Sequence, residues 1–411
     1  MKNRLISWFK GSRSVTDSPT LNVEKERNEY YESVSVRFGY AQVVLFVSLF
    51  VFIVLSFLSN TELITYRNFY YFFKDLNASA ERVDLTDADH VTYSTNEEQS
   101  FALYRNGLAV AGNRSVTIFS ATGRQTVSKL IDHYRHPIAV GSGKYLLVYE
   151  SGGTRYSVYN FYNQIYAGST DHPIQFATVS DCGTYALVTS SESYKSVVSL
   201  YNDRFELLNR YHKNAYVMDV DINEKGTALA ILSSTVSGGA FASELEIYEM
   251  KKPTEGSKVS LGTSIGIDCQ FSDGSNLIAL CGSGIYFLKH DGSLQNRYSF
   301  EGKSLRCADL TQNGAAICLD GTGISEKNTV ISFDKTGNML YNKTVPEAAD
   351  QIAQSGETVY VLFSGGIRQI SSQKNKEDRV LQTNTEERVL LAVNENEILL
   401  CSPQKAVYFY F

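Results

Sequence analysis

Four residues stand out as able to do chemistry by type and spacing: His136, His172, Asp219 and Asp221. The two histidines sit in a repeated element, RHPIAV at 135–140 and DHPIQF at 171–176. Two imidazoles in equivalent places can face a shared ligand or metal. The same repeat also arises from a recurring turn, in which proline pre-sets φ and histidine bonds a backbone group. Asp219 and Asp221 alternate in MDVDIN. On a strand, side chains two apart share a face, so the two carboxylates can hold Ca²⁺ or exchange protons. Acceptance of turn hydrogen bonds is the structural alternative. All four are read as rim contacts of a ring-shaped domain, with no catalytic, cofactor or metal role assigned. The sequence has no nucleophile elbow, P-loop, HExxH or dinucleotide fingerprint leading into a helix, so neither an enzyme activity nor a cofactor is expected.

The elements that must position these residues follow from a repeat. Short hairpins recur, each with a polar or glycine turn followed by an apolar strand, as in SDCGTYALVTS (180–190), NEKGTALAILS (223–233) and TQNGAAICLDG (311–321). Their spacing matches the roughly 40–50 residues of a propeller blade. Each hairpin is followed by an alternating strand, a tight Asp-Gly, Asn-Gly or Thr-Gly turn and a fourth strand, as in IYFLKHDGSLQNRYSF (285–300). Glycine suits such turns because it accepts positive φ. Four strands per unit and little helical periodicity after residue 80 predict an all-β fold, an eight-bladed β-propeller with seven blades as the alternative. Units begin near residues 100, 136, 174, 216, 265, 305 and 350. The last, 387–411, has three strands, so an N-terminal segment must supply its outer strand, with Glu81–Leu85 as candidate.

One transmembrane α-helix precedes the propeller. No charged residue occurs between Arg37 and Glu62. An apolar helix of about 20 residues crosses a hydrocarbon core of about 30 Å. The exit, SFLSNTELIT, lacks a small-residue cleavage site, which predicts an uncleaved signal anchor. Seven Lys and Arg precede the span, against Arg67 and Lys74 in the twenty residues after it. The positive-inside rule then gives a cytoplasmic tail at 1–37, a membrane span at 38–61, an aromatic juxtamembrane segment at 62–80 and an extracytoplasmic propeller at 81–411 in the cell membrane.

Composition narrows the partners. The net charge is −6, the opposite of a nucleic-acid-binding balance, so no nucleic acid is expected. The six cysteines show no CxxC spacing. Cys269–Cys281 and Cys307–Cys318 fall on neighbouring predicted strands as conceivable disulfides; buried apolar thiols are the alternative.

Phe271-Ser272-Asp273-Gly274 resembles the hairpins of TolB-like and WD-repeat propellers, although no Trp-Asp dipeptide occurs. The layout of span plus propeller resembles an uncharacterised family of single-pass, membrane-anchored propellers from Gram-positive bacteria. That resemblance implies no activity. Eight-bladed quinoprotein dehydrogenases are similar in blade number alone: their blades carry docking tryptophans, and the sole Trp here is Trp8. The function expected is a scaffold for envelope protein partners, tethered to the lipid bilayer. The alternatives are a sensor of a small ligand or cell-wall fragment, and an exported hydrolase or lyase with a rim site.

Overall fold

The computed structural model describes residues 22–59, 90–93, 98–272, 276–321, 327–371, 378–383 and 389–411. The segments 62–80 and Glu81–Leu85 lie outside the described residues, as do Asp273 and Gly274 of the quoted hairpin. Two compact units divide near Arg82.

Among the described residues the first holds the helix Asn22–Ser59. Its Val34–Phe52 stretch of 19 residues has a mean hydropathy of 1.8 and none of it is buried against protein. At 1.5 Å per residue this stretch is about 28 Å long, the thickness of a hydrocarbon core. The helix starts well upstream of the apolar stretch, because the Glu-, Lys- and Arg-rich segment before it also favours helix.

The second unit is an eight-bladed propeller. Eight four-stranded antiparallel sheets cover 99–130, 137–169, 174–213, 216–260, 266–299, 305–345, 349–382 and 389–410, numbered here as blades 1 to 8. Strands run in sequence order across each blade, and the first strands of successive blades pack side by side around the centre. Blade 8 supplies only three strands of its own. His90–Thr92 pairs with Lys405–Tyr410 as the fourth, with His90 opposite Val407 and Thr92 opposite Lys405. The closing segment is thus His90–Thr92. Its Val91 is buried against the blade 8–blade 1 interface, and an apolar residue at this point fixes which stretch docks.

The core is a ring of eight apolar layers, one between each pair of neighbouring blades. Second and third strands are covered on both faces and read as continuous apolar runs, such as Tyr185–Thr189 and Gly284–Leu288. Fourth strands form the outer wall and alternate, as in Leu294–Ser299. Tyrosine and phenylalanine fill the layers where other propellers dock tryptophan: Tyr166 stacks on Phe205 at 4.3 Å and Tyr185 on Tyr201 at 4.8 Å. Glycine is required where the second strands of blades 1 and 6 begin. A Cβ at Gly107 or at Gly314 would stand 2.1 Å from a carbonyl oxygen of the third strand.

Candidate functional site: the channel wall and the face above it

A first strand pairs on one side only; its other edge faces the central channel. Its backbone donors therefore need partners from elsewhere. Side chains of the preceding blade supply them. Asp219 accepts from the Cys269 amide at 2.9 Å, and Asp221 from the Phe271 amide at 2.8 Å. Asp309 accepts from the Gln354 amide at 2.6 Å. Gln351 both donates to the Leu390 carbonyl at 3.0 Å and accepts from its amide at 2.8 Å. Ser100 accepts from Ala139 at 3.1 Å. The two aspartates do share a face of Tyr216–Ile222, and their bonds reach the neighbouring blade rather than a turn.

Asp219 faces a third carboxyl, Asp268 of blade 5. The arrangement comes from a repeated β-bulge. Register shifts between Val217 and Asp219, Gly266 and Asp268, Leu305 and Cys307, and Ala349 and Gln351. The residue after each bulge lies on the channel-lining first strand, so Asp219, Asp268, Cys307 and Gln351 occupy one position in four successive blades. Asp268 and Asp309 are the residues that reading for adjacent motifs misses. Superposing VMDVDI, GIDCQF and LRCADL in register finds them.

The channel wall holds its carboxyls protonated well above the usual range. Burial dominates for each. It pushes Asp221 up to about 7 against the lowering effect of the Phe271 and Ile222 amides, and Asp309 up to about 7 against that of Gln354. Asp219 is raised by burial and then by Asp268, and Asp268 is raised by burial. Like charges at close range cannot both ionise at low cost, so a proton shared by Asp219 and Asp268 relieves them. Among the described residues no group of three His, Cys, Asp or Glu can hold a metal ion.

The histidines lie elsewhere. His136 Nδ1 is 2.8 Å from Glu98 Oε2, with both side chains exposed. The His136 carbonyl accepts from Ser151, and the His172 carbonyl from Thr170 Oγ1 at 2.7 Å. Ile174 is tied by backbone bonds to the Gly152–Gly153 turn of blade 2. Each His–Pro thus precedes a first strand, at Pro137–Gly141 and Ile174–Val179, and no bond joins the two imidazoles or links them to the aspartates.

A second buried polar cluster lies on the outer part of blades 3 and 4. Lys213 Nζ bonds Glu246 and, at 2.9 Å, the Tyr248 hydroxyl; Tyr248 in turn donates to Glu246. Lys258 reaches Glu246 and Glu244, each at 3.0 Å. Burial raises Glu246, but the bonds from Lys213, Tyr248 and Lys258 win and bring it down to about 2.

Strand polarity puts the second-to-third connections and the between-blade connections on one face, called here the upper face. Around blades 3 to 5 it carries exposed apolar side chains: Tyr194, Tyr216, Val236, Phe241, Ile265 and Ile267. The strands and connections that carry them adjoin. Val236 sits opposite Phe241 on the blade 4 hairpin, Tyr216 opposite Ser234 of the same hairpin, and Ser234 Oγ accepts from the Gly266 amide at 3.0 Å. Lys195 lies over the Tyr216 ring at 4.7 Å. The hairpin strands Ala228–Ser237 and Ala240–Glu249 have ten residues each, against five or six in the equivalent strands of blades 3 and 5. Gly238 and Gly239, both at positive φ, make the two-residue turn. From Ser233 to Ser243 there is no charged residue.

This geometry defines an eight-bladed β-propeller. The chain belongs to the family of unknown function DUF5711, whose family model matches residues 83–406. No curated protein matches the sequence. Similar solved structures include Sqt1 of Chaetomium thermophilum bound to the N-terminus of ribosomal protein L10. It has a TM-score of 0.56 and 9% identity, covering 78% of this chain and 98% of that one. The WD40 domain of SCAP from fission yeast has a TM-score of 0.53 and 12% identity, covering 78% and 98%. At such identities the likeness is one of fold.

Proposed function

We propose that the protein is a membrane-tethered scaffold whose upper face, around the blade 4 hairpin, docks a protein partner in the cell envelope. The carrying observation is the patch itself. Six large apolar side chains stand exposed together on one face, extended by a long uncharged hairpin. Contiguous exposed apolar surface of this kind marks interaction sites. The channel carboxylates support a non-enzymatic reading, because Asp219, Asp221 and Asp309 are already bonded to backbone of the next blade. Propellers of this shape hold protein segments elsewhere, as Sqt1 does with the N-terminus of ribosomal protein L10. In this reading Val34–Phe52 is the anchor, the basic tail is cytoplasmic and the propeller is outside. The imidazoles of His136 and His172 lie at the rim of the same upper face and belong to its periphery.

Two measurements test it. A photo-crosslinking amino acid at Phe241 of the full chain in its own membrane should trap one protein reproducibly. The same probe at Leu294, on the opposite face, should not, and Val236→Glu should abolish the product. Equal products from both faces, or none from Phe241, would overturn the docking face. Orientation is read from Cys182, the exposed cysteine. A membrane-impermeant maleimide should label it in intact cells, and labelling only after lysis would place the propeller inside.

A further inference from the structure

We propose that Cys307 and Cys318 are a redox-active pair that closes into a reversible cross-strand disulfide in blade 6. Cys307 lies on the first strand and Cys318 on the second, directly opposite one another. Residues directly opposite on antiparallel strands have Cα atoms about 4.5–5.5 Å apart, inside the roughly 4.4–6.8 Å window of disulfides. The two thiols are near enough for each to shift the other, Cys307 downward and Cys318 upward. Register separates this pair from the others. Cys269 stands opposite Ala279, Cys281 opposite Gly266 and Gly284, and Cys401 opposite Val389 and Ala406. The Cys269–Cys281 pairing, conceivable from sequence, is therefore out of register.

The pair is asymmetric in a way that orders the reaction. Cys318 is fully buried, whereas Cys307 is half-buried at the channel position that Asp219 and Asp268 occupy in blades 4 and 5. The neighbouring Cys318 thiol, with the Arg306 guanidinium alongside, lowers the Cys307 thiol, and Cys318 is raised. Arg306 is held there by the Ala349 carbonyl and by Asp320 at 3.2 Å. Cys307 is thus the attacking thiolate and Cys318 the resolving thiol. The oxidant is a disulfide, either a small-molecule one or that of a dithiol–disulfide oxidoreductase. The Cys307 thiolate attacks one sulfur of that disulfide and releases the other as a thiolate. Cys318 then loses its proton, and its sulfur attacks Cys307 Sγ, expelling the second thiol. Two protein thiols are oxidised and one disulfide is reduced to two thiols.

The test is a thiol map of the purified full chain in detergent after exposure to oxidised glutathione. Free thiols are alkylated and peptides separated without reduction. The expected product is a single internal link, a Cys307–Cys318 peptide lighter by two hydrogens and reopened by dithiothreitol. In Cys318→Ser, a glutathione adduct should accumulate at Cys307. Recovery of both residues alkylated in the wild type, or a lasting adduct at Cys307 with no link, would overturn the proposal. Cys182→Ser removes the exposed thiol and should leave the link unchanged. The wild-type map decides the matter even if a serine variant fails to fold.

Discussion

Blade 4 has two buried acidic regions, one at each edge, and they have opposite fates. On the outer side Glu246 is held as a carboxylate at about 2. On the channel side Asp221 is held up to about 7, and Asp219 is raised well above its usual range. Burial pushes all three the same way. What differs is the partner. Glu246 receives two lysines and a tyrosine, whereas Asp219 and Asp221 receive backbone amides and face another carboxyl. A backbone amide supplies a dipole, and a dipole does not outweigh desolvation plus a neighbouring acid. The outer cluster therefore behaves as an ion-pair fastening, and the channel side as a set of neutral hydrogen-bonding pegs between blades.

Breaking the outer fastening should have the largest effect. Lys213→Met leaves Glu246 buried with only Lys258 as a cation. Removing one partner of a buried pair costs about 3–5 kcal/mol. Urea denaturation should show that loss at pH 7, and Glu246→Gln combined with Lys213→Met should recover part of it. A loss below about 1 kcal/mol, the range of exposed pairs, would mean the cluster is wetter than its burial indicates. Next in size is Asp221→Ala, which leaves the Phe271 amide without its acceptor. An unsatisfied buried donor costs about 1–3 kcal/mol. That variant should unfold earlier in urea below about pH 4, where the carboxyl is protonated in the folded and the unfolded chain alike.

The architecture is legible because it rests on local patterns. Turn glycines, alternating outer strands and continuous apolar inner runs all repeat, and the eight blades follow from counting them. Closure is legible in principle and not in detail: a three-stranded last unit demands an N-terminal strand, but His90–Thr92 is only three residues long and has little pattern of its own. The channel is where reading by eye runs out. Asp219 and Asp221 are conspicuous because they alternate, while their counterparts Asp268 and Asp309 stand singly, one and two blades further along the chain. The signal exists only after blades are aligned on the bulge. The upper-face patch is less visible still. Tyr194, Tyr216, Phe241 and Ile265 come from four separate connections or strand starts, and nothing in a single chain segment marks them as neighbours.

The smallest and sharpest test of the comparison is the pH dependence of stability. Glu246 has a folded value near 2 against an ordinary 4.5, so the unfolded chain binds more protons between those values. Stability from that cluster is present above about pH 4.5 and is lost as pH falls toward 2. Asp221 and Asp309 have folded values of about 7 against an ordinary 3.8, so here the native state binds more protons. Their contribution is complete below about pH 4 and declines as pH rises through 7. The two edges together predict a maximum in mildly acidic solution and a decline on both sides. Asp221→Asn keeps a carbonyl acceptor for Phe271 and removes the titration. It should match the wild type below about pH 4 and exceed it progressively as pH rises toward 7, so that thermal midpoints plotted against pH fall less steeply between those values and are unchanged on the acid side. A variant curve parallel to the wild type across pH 5–8 would mean that Asp221 is already ionised in the folded channel, and the contrast between the two edges of blade 4 would reduce to one of geometry alone.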